Sequence, residues 1–390
     1  MTMRRILRLA RAVRGRTVLS FALIAAPAVG LHAQSNLSTQ GFGYPVGQQS
    51  ARSLGAGGAL SEIDPLSPVN PASLALIGSR MLYFQIEPEY RTVTTAAGTE
   101  RTTTARYPNV FGALPIGSNF VVSLGASTLL DRTATTSFNS TQFLSGHDSV
   151  PMTTTFHIDG AMDDVRLAGA WAPVSWLRVG LGVHAITGHN LINLSQKFAD
   201  SVTFAAFTQS RVLGFSGSAL SAGVQFVSQA WLASVSARKG GSLSLNAEDT
   251  VVSRARVPDR FGGSIAYTGI AGSAISVRAD RDSWSALGNL GSPGLIGVDA
   301  WDTSIGADIA GPRFGQQSLY LRGGFRDRTL PFEAANQIVR EKSFSGGLGA
   351  AFANAHILAD LAVVHANRTA VNVPATEHAW TISIGLSVRP

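Results

Sequence analysis

Few residues in this 390-residue chain have the types and spacing that chemistry requires. Gly55-Ala56-Gly57 opens like a dinucleotide-binding loop, but the third glycine is due at position 60, where Leu60 stands, and no strand pattern precedes it. Gly214-Phe215-Ser216-Gly217-Ser218 carries the serine of a nucleophile elbow without its closing glycine, inside an alternating stretch. His184 and His189 fall on opposite faces of a strand, so they are not expected to share a metal. A serine hydrolase needs a Ser, a His and an acidic or amide partner, and the sequence singles out no such set. The expectation is no catalytic residue, no metal, no cofactor and no enzyme.

Five arginines offer a different chemistry. Arg166, Arg178, Arg238, Arg278 and Arg322 sit on the polar parity of alternating stretches. Either they meet a substrate carboxylate in bidentate contacts, or they pair with Asp164, Asp280, Asp302, Asp308 and Asp360 in a wet interior.

The elements that must position these arginines are strands. At the carboxyl end Trp380, Ile382, Ile384, Leu386 and Val388 alternate with Thr381, Ser383, Gly385, Ser387 and Arg389, and the same period recurs from residue 80 onward. Fourteen strands are predicted, near 80–94, 104–116, 119–132, 153–173, 176–189, 211–227, 229–240, 249–268, 270–284, 298–310, 317–328, 341–353, 355–367 and 376–389. A parity shift in the sixth places a bulge near Ser216 to Ser218. Short connections alternate with longer polar ones at 133–152, 190–210, 285–297 and 329–340, the pattern of bacterial outer-membrane barrels with both termini in the periplasm. A soluble sandwich or lipocalin-like barrel has no need of apolar residues facing outward. An Arg facing lipid at mid-membrane costs about 2–4 kcal/mol, so the five arginines should face the lumen. Trp171, Trp176, Trp231, Trp284, Trp301 and Trp380, with Tyr83, Tyr107 and Tyr267, are predicted to form interfacial girdles.

Composition agrees with export to a membrane. Residues 1–33 carry six arginines and no acid, then an apolar run ending before Ala33, the pattern of a cleavable signal peptide. Removing those six from the 31 basic residues leaves 25 against 24 acidic ones, so the basic balance is no evidence for nucleic-acid binding. Charged residues are 14% of the chain, against about 25% in ordinary soluble domains. Cysteine is absent.

Between the signal and the strands lies residues 34–78, too short to bury a core alone. Gly55, Gly57 and Gly58 permit close backbone approach, Asn70 is a good N-cap, and Pro71-Ala72 a good start for one or two helical turns up to residue 77. The segment reads as a plug inside the barrel formed by residues 79–390. Its Leu54, Leu60, Ile63, Leu66 and Leu74 either line an apolar ligand pocket or merely seal the barrel. A lateral opening is expected around the second and third strands, where Pro108 and Pro115 remove donors and Gly125 tolerates a kink; ordinary strand-end prolines are the competing reading.

Ala51-Arg52-Ser53-x-Gly55-x-Gly57-Gly58-Ala59, then Asp64-Pro65 and Asn70-Pro71-Ala72 directly before fourteen strands, resembles the FadL family of outer-membrane transporters for long-chain fatty acids and other hydrophobic compounds. The resemblance covers the mature chain in architecture and residues 41–76 in motif. It implies an all-β fold, a 14-stranded antiparallel transmembrane β-barrel with an N-terminal plug, or hatch, in the lumen. It also implies passive transport of hydrophobic or amphipathic, fatty-acid-like molecules across the outer membrane of a Gram-negative type envelope. The implied partners are membrane lipids, an apolar ligand and the barrel-assembly machinery, for a monomeric protein that binds no nucleic acid. Similar barrels with such a hatch belong to secretion systems, so a protein-binding scaffold is the alternative and a general porin the third reading. The carboxyl end departs from common outer-membrane barrels, closing on Val388-Arg389-Pro390 without an aromatic residue.

Overall fold

The computed structural model describes residues 37, 42–96, 98–143, 149–288, 297–314, 317–352 and 356–390; the expected signal peptide lies outside these. Strands run in chain order as β1 (Tyr44–Pro45), β2 (Met81–Thr95), β3 (Gly98–Ile116), β4 (Phe120–Asp131), β5 (Ala134–Phe143), β6 (Ser149–Val174), β7 (Leu177–Phe198), β8 (Phe207–Val227) and β9 (Trp231–Ala247). They continue as β10 (Thr250–Arg256), β11 (Arg260–Tyr267), β12 (Ala274–Asp282), β13 (Ala300–Phe314), β14 (Gln317–Ala334), β15 (Gln337–Phe352), β16 (Ile357–Ala370) and β17 (Ala375–Val388). β4 and β5 both pair with β6, and β10 and β11 both pair with β9, so each couple is one interrupted wall strand. The wall therefore has fourteen strands, all antiparallel, closed by β17 against β2 from Ala375↔Thr95 to Val388↔Leu82. Closure leaves no terminal edge, which a bilayer demands because lipid offers no partner to an open backbone.

The outer surface follows the same logic. In β17 Thr381, Ser383, Gly385 and Ser387 face inward while Trp380, Ile384, Leu386 and Val388 face out. Leu124, Leu181, Phe261, Ile265 and Phe344 are each more than half exposed, an arrangement stable only against an apolar medium. The sixth wall strand has its bulge where parity shifts, between Gly217 and Ala219. Trp171, Trp176, Trp231, Trp301, Trp380 and Tyr107 also face out.

Two expectations are corrected. Trp284 and Tyr83 are not girdle residues: both are buried inside, Trp284 edge-on to Phe42 and Tyr83 with its hydroxyl accepting from the Ala51 amide. Three of the four long connections are mostly strand. β6 has 26 residues and β7 22, and β14 meets β15 at Ala335-Asn336, both with positive φ, the turn whose twist suits a hairpin. Where both faces of a hairpin are wet, pairing persists but the hydrophobic alternation disappears, and the sequence signal goes with it.

Residues 42–77 lie among the inward-facing side chains. A short helix α1 (Ala51–Gly55) is capped by Ser50, whose hydroxyl accepts from the Ser53 amide at 3.0 Å. A 3-10 helix spans Pro71–Leu76, capped by Asn70. Between them the backbone touches wall strands at Ser345, which accepts from Gly57, and at Ser276, which donates to the Ala59 carbonyl. The wall makes room by glycine: a Cβ at Gly324 would overlap the Ala56 carbonyl, and one at Gly223 the Asn70 amide oxygen.

Candidate functional site

The interior segment is held by its motif residues. Asn70 Oδ1 accepts from the Ala72 amide at 2.9 Å, and its Nδ2 donates to Ser234 Oγ at 2.7 Å and to the Glu62 carbonyl at 3.1 Å. One side chain thus caps the 3-10 helix, ties the segment to itself and binds it to β9. Asp64 gathers Ser50 and Ser67 hydroxyls, and Arg52 joins it to Asp308, 2.8 Å away on β13. Glu62 is fully buried against Arg260 of β11. Burial alone would raise the Glu62 carboxyl, but the charges of Arg260 and Arg278 reverse that and hold it below its ordinary value.

A second anchor escaped the sequence reading. Tyr44 lies among Arg91, Arg106, Arg328 and Arg368, with ring-centroid distances of 5.6, 4.9, 4.8 and 4.5 Å. Glu89, Glu341, Glu377 and Asp131 neutralise the four guanidiniums. Inward parity on β2, shared by Gln85, Glu87, Glu89 and Arg91, was the available signal.

Arg166, Arg238, Arg278 and Arg322 are buried and Arg178 is half-buried near the β7 start. Arg278 pairs with Asp280 and Asp302, and Arg322 with Asp308 at 3.2 Å and Asp360 at 2.7 Å. Arg238 pairs with Asp282 at 3.6 Å and donates to Gln48, while Arg166 instead donates to the Pro68 carbonyl and Arg178 to Gln225. Most of this charge is therefore spoken for within the protein. The five leucine and isoleucine positions are not brought together. Leu60 and Ile63 pack with Leu232 and Ala266; Leu66 and Leu74 pack with Tyr83, Phe111 and Val121; Leu54 is half-buried elsewhere. Of the five, Leu66 lines a cavity of about 260 Å³ together with Leu76, Ile77, Met81, Tyr320, Arg52 and Arg322. A larger apolar cluster, holding Phe42 and Leu37 among Leu129, Met162, Phe215, Trp284 and Phe332, fills another part of the lumen.

The wall ladder is interrupted between the second and third strands. β3 pairs with β4 only from Asn109↔Ser127 to Ile116↔Phe120. Beyond Asn109, β3 keeps its pairing to β2 alone, while Leu130 and Asp131 of β4 turn to β1, opposite Pro45 and Tyr44. Pro108 stands at the end of the paired stretch, in a bulge opposite Gln85 and Glu87; Pro115 is paired opposite Val121. Gly125 faces Phe111 so closely that a Cβ there would overlap the ring-bearing carbon. A cavity of about 270 Å³ occupies the gap, lined by Arg91 and Val93 on one side, Thr102, Thr103 and Thr104 on β3, and Thr133, Ala134, Thr135 and His157 opposite.

A wall of fourteen antiparallel strands around an amino-terminal segment is the architecture this chain shares with solved FadL-type barrels. The chain aligns with a Pseudomonas aeruginosa FadL homologue at 13% identity over 89% of this chain and 99% of that one, with a TM-score of 0.57. It aligns with the Pseudomonas putida toluene transporter TodX at 13% identity, 87% and 98% coverage and a TM-score of 0.57. The monoaromatic hydrocarbon channel CymD matches at 12% identity, 86% and 98% coverage and 0.53. At such identities the likeness establishes the fold. No family model matches the chain, and no curated protein matches it in sequence.

Proposed function

We propose that the protein is an outer-membrane channel through which hydrophobic small molecules leave the lumen sideways, through the gap between β3 and β5. The observation that carries this reading is the missing ladder there: among the described residues Gly98–Pro108 of β3 pairs with β2 alone, beside a cavity that reaches lumen residues Arg91 and Val93. An apolar solute gains about 0.8 kcal/mol per methylene on leaving water, which favours its passage from a side opening in the wall into the surrounding lipid. Barrels of the same fold are described as toluene and monoaromatic hydrocarbon transporters.

Two cavities beside the interior segment and the wall gap have room for a small substrate. An engineered apolar cavity of about 150 Å³ accepts benzene, so spaces of about 260 and 270 Å³ suit one aromatic ring. The interior segment acts as a plug, its Asn70 and Tyr44 anchors closing the axis that a general porin would keep open. The protein works as a monomer, inserted by the barrel-assembly machinery after loss of residues 1–33. Uptake of labelled toluene and of a labelled long-chain fatty acid, in cells without transporters of their own, tests the reading. Faster toluene entry is expected; entry no faster than in cells with an empty vector refutes it.

A further inference from the structure

Three inward side chains on adjacent strands form a hydrogen-bonded line. Asp164 of β6 accepts from His184 Nδ1 of β7 at 2.8 and 2.9 Å through its two oxygens, and His184 Nε2 stands 2.8 Å from Ser221 Oγ of β8. All three are buried. A carboxylate on Nδ1 fixes the proton there, leaving the Nε2 lone pair to accept the serine proton; this is the tautomer a general base needs. Asp164 is itself held, by Gln48 Nε2 at 2.9 Å on Oδ2. Gln48 in turn accepts from Arg238, which lies opposite Ser221 in the β8–β9 register, pairs with Asp282 through Nη2 at 3.6 Å, and keeps a buried Nε with no acceptor among the described residues.

We propose that Ser221, His184 and Asp164 are a serine-nucleophile relay that cleaves carboxylic esters of apolar compounds entering the lumen. Ser221 Oγ forms a bond to the acyl carbon as its proton passes to His184 Nε2. The ester C–O bond then breaks, and the departing alcohol takes that proton. Water attacks the acyl-serine by the same route, giving its proton to His184 and then to Ser221, and releases the acid. Arg238 Nε, on the strand position opposite Ser221, is the donor offered to the oxyanion. Space for the relay comes from Gly182, where a Cβ would stand 2.5 Å from Ser221 Oγ. Gly180 and Gly223, two residues along β7 and β8, are covered by Pro71 and Asn70, so the 3-10 helix borders the site and its displacement opens it.

The test is covalent labelling of the purified, folded barrel with a small fluorophosphonate, read by mass spectrometry, in the native sequence and in Asn70→Ala. Ser221 is expected to be the labelled residue, in one or both proteins and faster in Asn70→Ala. Labelling should vanish in Ser221→Ala and slow by about a hundredfold or more in His184→Gln. Heat-modifiable migration on gels shows which variants are folded, and Asp164→Asn supplies a second relay variant should His184→Gln fail to fold. If the line is only a clamp across three strands, Ser221 stays unlabelled in both folded proteins, and that overturns the proposal. The readout is the serine itself, so it stands or falls apart from transport.

Discussion

Adding one methyl group at Gly324 should loosen the interior segment. A Cβ there would overlap the carbonyl carbon and oxygen of Ala56 and the nitrogen of Gly57, far inside the ~3.5 Å of optimal carbon contact. These are backbone atoms, so no rotamer relieves the clash; the segment or the wall must move. Overpacking of this kind costs about 1–3 kcal/mol, and if the wall holds, the detached population rises about 5- to 150-fold. Gly346→Ala is the control, because a Cβ at this outward position on β15 meets nothing within 4 Å and alanine suits a strand better than glycine. The chain has no cysteine, so Ser61→Cys gives a single reporter inside the segment, fully buried beside Ser53 and the Gly58 carbonyl. Maleimide labelling of that cysteine should accelerate by the stated factor in Gly324→Ala and stay at the parent rate in Gly346→Ala. Equal rates in both would refute the packing argument.

Other perturbations follow from the anchors. Asn70→Ala removes the cap of the 3-10 helix and the bond to Ser234, leaving buried partners unpaired; it should weaken seating of the segment by about 1–3 kcal/mol, read by the same labelling rate. Glu62→Gln removes the nearer carboxylate from Arg260, which keeps Asp280 at 3.5 Å, a loss of about 1–3 kcal/mol that should appear as a lower temperature for the heat-modifiable gel shift. Because the Glu62 carboxyl is held below its ordinary value in the folded state, its contribution is complete above a pH of about 4.3 and is lost as pH falls further. The native protein should therefore lose gel-shift stability on acidification by a component that Glu62→Gln lacks, and identical profiles would contradict the assignment.

The wall was legible because a lipid-facing strand must alternate. That constraint wrote β17 residue by residue, set the inward parity of Arg278 and Arg322, and betrayed the bulge at Gly217 as a parity shift. Asn70-Pro71 likewise announces a helix start by chemistry alone, and a 3-10 helix begins there. What was not legible depends on register. Asp164, His184 and Ser221 each sit on inward parity, but their meeting depends on how β6, β7 and β8 slide past one another, which no local pattern records. Tyr44 belongs to a two-residue strand, too short for any period, and its arginines come from four places in the chain. Trp284 was misread because an aromatic residue at a strand end suits a girdle and an interior equally well until its neighbour Phe42 is known.

The gap between β3 and β5 is the central claim, and filling it is the most direct measurement. Thr104→Trp places a large ring in the cavity that Thr102, Thr104, Thr133 and Thr135 line, while Phe344→Trp changes only the lipid-facing wall. Toluene uptake by cells carrying each variant should fall to the empty-vector level with Thr104→Trp and stay at the parent level with Phe344→Trp. Parent-level uptake through a folded Thr104→Trp barrel would contradict lateral exit at this place.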